Sequence, residues 1–139
     1  MKRNEQAACD AGPIIAIMDR RDKHHDACVE LLKSIILPMV TVWPVLCEAW
    51  YILEKRGGQA DAVLHWVEAR HLRILRINPS DATRMRSLID QYSDLPMDLA
   101  DAALVAACER EKIEKVFTLD RRDFSIYRPH HTSHFQILP

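Results

Sequence analysis

The spacing of apolar positions along this chain changes repeatedly, and the changes predict short strands alternating with amphipathic helices. Ala7-Ala8-Cys9 is a brief apolar run that ends at Asp10 and reads as a first strand. A Gly12-Pro13 turn and a short helix through Ile14, Ile15, Ile17 and Met18 follow. Asp22 to Ile35 places Cys28, Leu31, Leu32 and Ile35 on one helical stripe, and Pro38 to Val42 reads as a second strand. Pro44 to Lys55 opens with proline in its first turn and closes at Gly57-Gly58, as a helix should. Gln59 to Ala69 gives another helix and Leu72 to Ile77 a β-rich run. Ser80 to Gln91 is a helix capped after Asn78-Pro79. The remainder predicts a helix opening near Asp98, a strand at Lys115 to Leu119 and a last short strand near Phe135 to Leu138. Strands separated by helices imply an α/β domain with a mainly parallel sheet of four to five strands, spanning residues 1–139 without a linker or repeat. Ligands of such sheets sit at the carboxyl ends of the strands.

Composition narrows the function classes more than it selects one. The 139 residues are 48% hydrophobic and 28% charged, the balance of an ordinary globular domain. No apolar run is long enough to span a membrane, and Met1-Lys2-Arg3-Asn4-Glu5-Gln6 leads into no stretch of signal-peptide length, so a cytoplasmic protein is expected. A formal net charge of −1 offers no global attraction to nucleic acid, which leaves that role to local clusters. Cys9, Cys28, Cys47 and Cys108 form no Cys-x-x-Cys pair and read as core thiols. Trp43, Trp50 and Trp66 read as core rather than as stacking platforms. His130, His131 and His134 have no cysteine or acid among them and predict a polar loop instead of a zinc site.

The chemistry is carried by acids. Asp98 and Asp101 stand three residues apart at the start of a nearly all-apolar helix, on one side and near the positive end of its dipole. Capping accounts for Asp98; Asp101, in a helix of Ala, Leu and Val, needs a donor, a counter-charge or a cation. Asp10 after the first strand and Asp120 after Val116-Phe117-Thr118-Leu119 open onto the same sheet edge as Asp101. Glu48 is the fourth acid, with Pro44, Val45, Tyr51 and Ile52 as helical neighbours. Carboxylates drawn together raise one another's pKa unless a divalent cation holds them ionised, and Mg²⁺ or Mn²⁺ suits hard oxygen ligands. With no Ser or Cys nucleophile beside a His, this set points to metal-assisted phosphodiester hydrolysis. Asp-Arg-Arg-Asp occurs twice, at 19–22 and 120–123, and makes Arg20, Arg21, Arg121 and Arg122 candidate contacts to an RNA backbone. A phosphoacceptor receiver domain shares the size and pattern but needs a paired acid after the first strand and a late lysine, both missing.

Blocks of this chain resemble the PIN-domain nucleases, in particular the VapC-like toxins of toxin–antitoxin pairs. They are Asp10-Ala11-Gly12-Pro13 with residues 19–25, Thr41-Val42-Trp43-Pro44-Val45-Leu46-Cys47-Glu48-Ala49, Leu95 to Ala103, and Phe117 to Phe124. The resemblance implies a three-layer α/β/α fold and a Mg²⁺- or Mn²⁺-dependent endoribonuclease. It implies Asp10 and Asp101 as metal ligands, Glu48 and Asp120 completing the acidic pocket, and Asp98 and Asp123 in a secondary shell. Thr118 would orient the fourth acid or a water. A small antitoxin and a homodimer are the implied partners. The chain departs from the family at two places. Ala11 stands where many members carry Ser or Thr, and Asn4-Glu5-Gln6 replaces an apolar lead, so a short, weakly held first strand is expected. These departures support an alternative, a catalytically weak or inactive module that engages an antitoxin-like partner or RNA.

Overall fold

The computed structural model describes residues 5–139, so Met1 to Asn4 of the polar lead lie outside it. Five parallel strands form one sheet in the order β3-β2-β1-β4-β5: β1 (Ala7–Cys9), β2 (Met39–Thr41), β3 (Arg73–Ile74), β4 (Lys115–Phe117) and β5 (Gln136–Leu138). Helices flank it in an α/β/α arrangement: α1 (Ala11–Met18), α2 (His25–Ser34), α3 (Trp43–Lys55), α4 (Ala60–Glu68), α5 (Asp81–Gln91), α6 (Leu99–Glu111) and α7 (Arg121–Ile126).

The first strand departs from expectation. It is short, yet it is the central strand, paired on both sides, and Ala7, Ala8 and Cys9 have no solvent exposure. Small side chains suffice because helices cover both faces of a parallel sheet, where burial rather than bulk stabilises the strand. Strand β1 therefore holds Asp10 firmly, and the Asp10 main-chain N–H donates to the Phe117 carbonyl at 3.0 Å.

Other expectations shift at their boundaries. Gly12 and Pro13 lie inside the first turn of α1, where a missing proline N–H costs nothing. Helix α2 begins at His25 rather than Asp22, and the 72–77 run pairs only over Arg73–Ile74, with the Leu75 N–H extending it onto Thr41. Residues 121–126, for which the sequence pattern predicts no element, form α7. Cys47 is exposed on α3, and so are Trp43 and Trp50; residues 43, 47 and 50 share the helix face turned from the core. Trp66 is half-buried against the core, and Cys9, Cys28 and Cys108 are buried thiols.

Helix α6 is the best-buried helix: Ala102 to Ala107 are within 3% of complete burial, so it has almost no polar face. Arg84 of α5 pins its far end, forking onto both Glu109 oxygens at 2.8 Å. Helices α5 and α3 pack along it. Among the described residues no helix is long and apolar enough to cross a membrane.

Candidate active site

Parallel strands each deliver their carboxyl end to the same edge, and acids from distant parts of the chain meet there. Asp10 follows β1, Glu48 lies in the second turn of α3 after β2, Asp98 and Asp101 head α6, and Asp120 lies three residues after the end of β4. Asp98 and Asp120 each give an oxygen to their own helix, accepting from the Asp101 N–H at 2.8 Å and the Asp123 N–H at 3.1 Å. Asp10 stands at the same kind of position before α1 but makes no such capping bond. Its carboxylate faces Thr118 instead, whose buried hydroxyl donates to Asp10 Oδ2 at 2.8 Å and accepts from the Asp120 N–H at 2.9 Å. Thr118 thus ties the Asp10 carboxylate to the backbone of Asp120.

The electrostatics bind the set together. Burial pushes the Asp101 carboxyl up to about 8, and the charges of Asp10, Asp98 and Glu48 add to the push; one hydrogen bond, from Tyr127, opposes it. Asp10 is raised by burial and by Asp120 and Asp98, against the Ala11 N–H and Thr118. Burial raises Glu48 as well, helped by Asp98 and Asp10, and among the described residues no donor reaches its carboxylate. Asp123 is raised by burial and by its contact with Asp120. Among the described residues no lysine or arginine stands among the main influences on Asp10, Glu48 or Asp101. Hard oxygen donors with raised proton affinity and no counter-charge are what a Mg²⁺- or Mn²⁺-sized ion requires, so this donor set fits one. Among the described residues no three His, Cys, Asp or Glu side chains already close into a metal cage. The acids stand as an open set, as mutual repulsion dictates.

The predicted arginines divide. Arg121 and Arg122 are exposed in the first turn of α7, beside Asp120, with Arg121 reaching the main-chain oxygen of Pro139. Arg20 and Arg21 are not beside the acids: the eight residues of α1 carry the chain about 12 Å away from Asp10. Arg20 is exposed there, while Arg21 donates to Asp19 and to the Arg56 carbonyl. Arg56 in turn bridges Asp19 at 3.1 Å and Asp22 at 2.9 Å. His131 sits in the C-terminal loop with Nε2 2.7 Å from the Ile113 carbonyl, away from any acid cluster.

One residue of the site escaped sequence reasoning. The Tyr127 hydroxyl donates to Asp101 Oδ2 at 2.9 Å across 26 positions of sequence, from a ring with no solvent exposure. The available signal was Phe124 and Tyr127 at a spacing of three after Asp123, an apolar helical pair next to an acid.

The PIN domain matches residues 7–128 of this sequence. The chain belongs to the PIN-domain family. Among curated relatives of this PIN chain is Ribonuclease VapC26 of Mycobacterium tuberculosis (strain ATCC 25618 / H37Rv), 27% identical over 132 residues covering 94% of this chain and 98% of the relative. Among solved structures, M. tuberculosis VapC20, a sarcin–ricin loop cleaving toxin, superposes with a TM-score of 0.74. That match covers 79% of this chain and 86% of VapC20 at 19% identity, a likeness of fold. The chain is thus a VapC-like PIN domain, and its acids occupy the carboxyl edge at which ligands of parallel sheets bind.

Proposed function

We propose that this PIN domain is a divalent-metal-dependent endoribonuclease, the toxin of a toxin–antitoxin pair acting on RNA phosphodiesters in the cytoplasm. The observation that carries the reading is the meeting of Asp10, Glu48 and Asp101 from three separate elements, with no lysine or arginine ion pair on any of them among the described residues. Asp10 and Asp101 would hold Mg²⁺ or Mn²⁺, with Glu48 and Asp120 completing the acidic pocket. When bound, such an ion supplies a Lewis acid for water activation and offsets the charge that develops on phosphoryl oxygens. The chain's own residues prepare the pocket. Thr118 fixes the Asp10 carboxylate, the Asp101 N–H holds Asp98, and Glu48 adds a carboxylate with no donor on it among the described residues, free to accept a hydrogen bond from a water. Arg121 and Arg122 stand on the site's side of the molecule, where an RNA backbone would pass. A small antitoxin and a second copy of the chain are the proposed partners, supported by the likeness to VapC proteins.

The test is cleavage of RNA by purified protein with Mg²⁺ or Mn²⁺. Asp101→Asn should lower the rate roughly 100-fold or more, in the range lost when a charge-stabilising group is removed. Cleavage indifferent to chelator and to Asp101→Asn would overturn the proposal. Absence of cleavage by a folded, metal-binding chain would favour the inactive binding module to which Ala11 points.

A further inference from the structure

Among the described residues Asp101 is served by a single side-chain donor, and that donor is held on several sides. The Tyr127 ring is fully buried and wedged between Tyr92 and Phe124, edge to face with centroids 5.0 and 5.1 Å away. Tyr92 is itself fixed, its hydroxyl accepting from the Arg128 N–H at 2.8 Å. The Tyr127 main-chain N–H closes α7 on the Asp123 carbonyl at 3.0 Å. Three rings and two main-chain bonds thus aim one phenol at Asp101 Oδ2, and no other hydrogen bond within the described residues reaches that carboxylate. A buried tyrosine hydroxyl needs a partner, and a main-chain carbonyl would serve; here it is given instead to an acid crowded by Asp10, Asp98 and Glu48, as the hydrogen bond that favours the ionised form of Asp101.

We infer that Tyr127 is a positioning residue, which holds Asp101 Oδ2 so that Oδ1 is presented to a divalent cation. The inference rests on the proposed metal-dependent reading of the same site. By anchoring one oxygen, the phenol fixes the plane of the carboxylate and favours one-oxygen ligation, the role that outer hydrogen bonds to ligating carboxylates play. It also makes α7 a bridge: the six-residue helix capped by Asp120 leads straight into the residue that orients Asp101, so the two acids are set by one rigid element. Thr118 does the same for Asp10, and the two proposed ligands are each tied through Oδ2 to a hydroxyl from the chain between β4 and the end of α7.

The experiment is Mn²⁺ titration of the full-length chain followed by electron paramagnetic resonance, with thermal melting of the metal-free protein in parallel. Tyr127→Phe keeps the ring contacts and removes the hydroxyl; it should weaken Mn²⁺ binding about 10–100-fold. Phe135→Leu disturbs the same aromatic column at Phe124, 6.0 Å from the Phe135 ring, without touching Asp101. It should lower the melting temperature and leave Mn²⁺ affinity within about twofold, the behaviour of a purely packing role. Equal Mn²⁺ affinity in Tyr127→Phe and the unaltered chain overturns this inference alone. An unaltered chain that binds no Mn²⁺ overturns the metal-dependent reading together with it.

Discussion

The tetrapeptide Asp-Arg-Arg-Asp occurs at 19–22 and again at 120–123, and the two copies do opposite things. In the first, Asp19 and Asp22 are neutralised: Arg56 spans both, Arg21 folds back on Asp19, and both carboxyls lie below their ordinary range. The Arg21 N–H is the main cause for Asp19; at Asp22 burial pushes upward, but the His24 N–H and Arg56 together outweigh it. In the second, among the described residues no basic side chain bridges the acids. Asp120 caps α7, Asp123 is raised by burial and by Asp120 against the pull of Arg122, and both arginines are exposed. The sequence is the same four residues. What separates a structural clamp from part of an acidic pocket is one arginine, 34 to 37 positions away in the chain, that the fold brings to the first copy alone.

The largest effect expected from breaking this contrast is on RNA cleavage. Asp120→Asn should reduce the rate roughly 100-fold, whereas Asp19→Asn should leave the rate per folded molecule nearly unchanged and lower the melting temperature by a few degrees. Cleavage assays and melting curves on the two variants check it, and matching losses of activity would erase the distinction.

The two regions should also give stability slopes of opposite sign with pH. A folded Asp101 that keeps its proton up to about 8, against an ordinary 3.8, means the folded chain binds more protons over that interval. Metal-free protein should therefore lose stability as pH rises from 3.8 to about 8. Asp19 and Asp22 act in reverse: their contribution is present above 3.8 and is lost as pH falls through their lowered folded values. Urea unfolding with chelator across a pH series should show the neutral-range slope flatten in Asp101→Asn. Arg56→Met should instead flatten only the acid limb.

The smallest effect concerns the arginines. Replacing Arg121 and Arg122 by Ala should weaken RNA binding a few-fold and reduce the salt dependence of the logarithm of affinity by about 0.7 for each phosphate that is no longer neutralised. Arg21→Ala should leave that slope alone, because its guanidinium is committed to Asp19 and the Arg56 carbonyl. Binding measured at several salt concentrations separates the two.

What is legible in the sequence is whatever a local pattern encodes. The alternation of periods places the five strands and six of the helices, and the Asp98/Asp101 spacing correctly divides a capping acid from one in need of a partner. Helix α7 escapes because six residues opening on charged ones carry too little periodicity to register. Trp43 and Trp50 mislead because an aromatic at helical spacing marks a face without saying which way it turns. Arg56 and Tyr127 are invisible for a different reason. Each acts on an acid at least 26 residues away, so only the folded chain specifies the pairing.

Helices α3 and α6 pack against each other, and each brings a fully buried alanine next to its acid: Ala49 beside Glu48, Ala102 beside Asp101. Interaxial distance between helices depends on the side chains at their contact. The α3–α6 separation is accordingly a ruler, and it is one dimension of the space between Glu48 and Asp101. Enlarging the side chains packed between the two helices would widen that gap as well as strain the core, so the spacing of the carboxylates is written partly in residues that carry no charge.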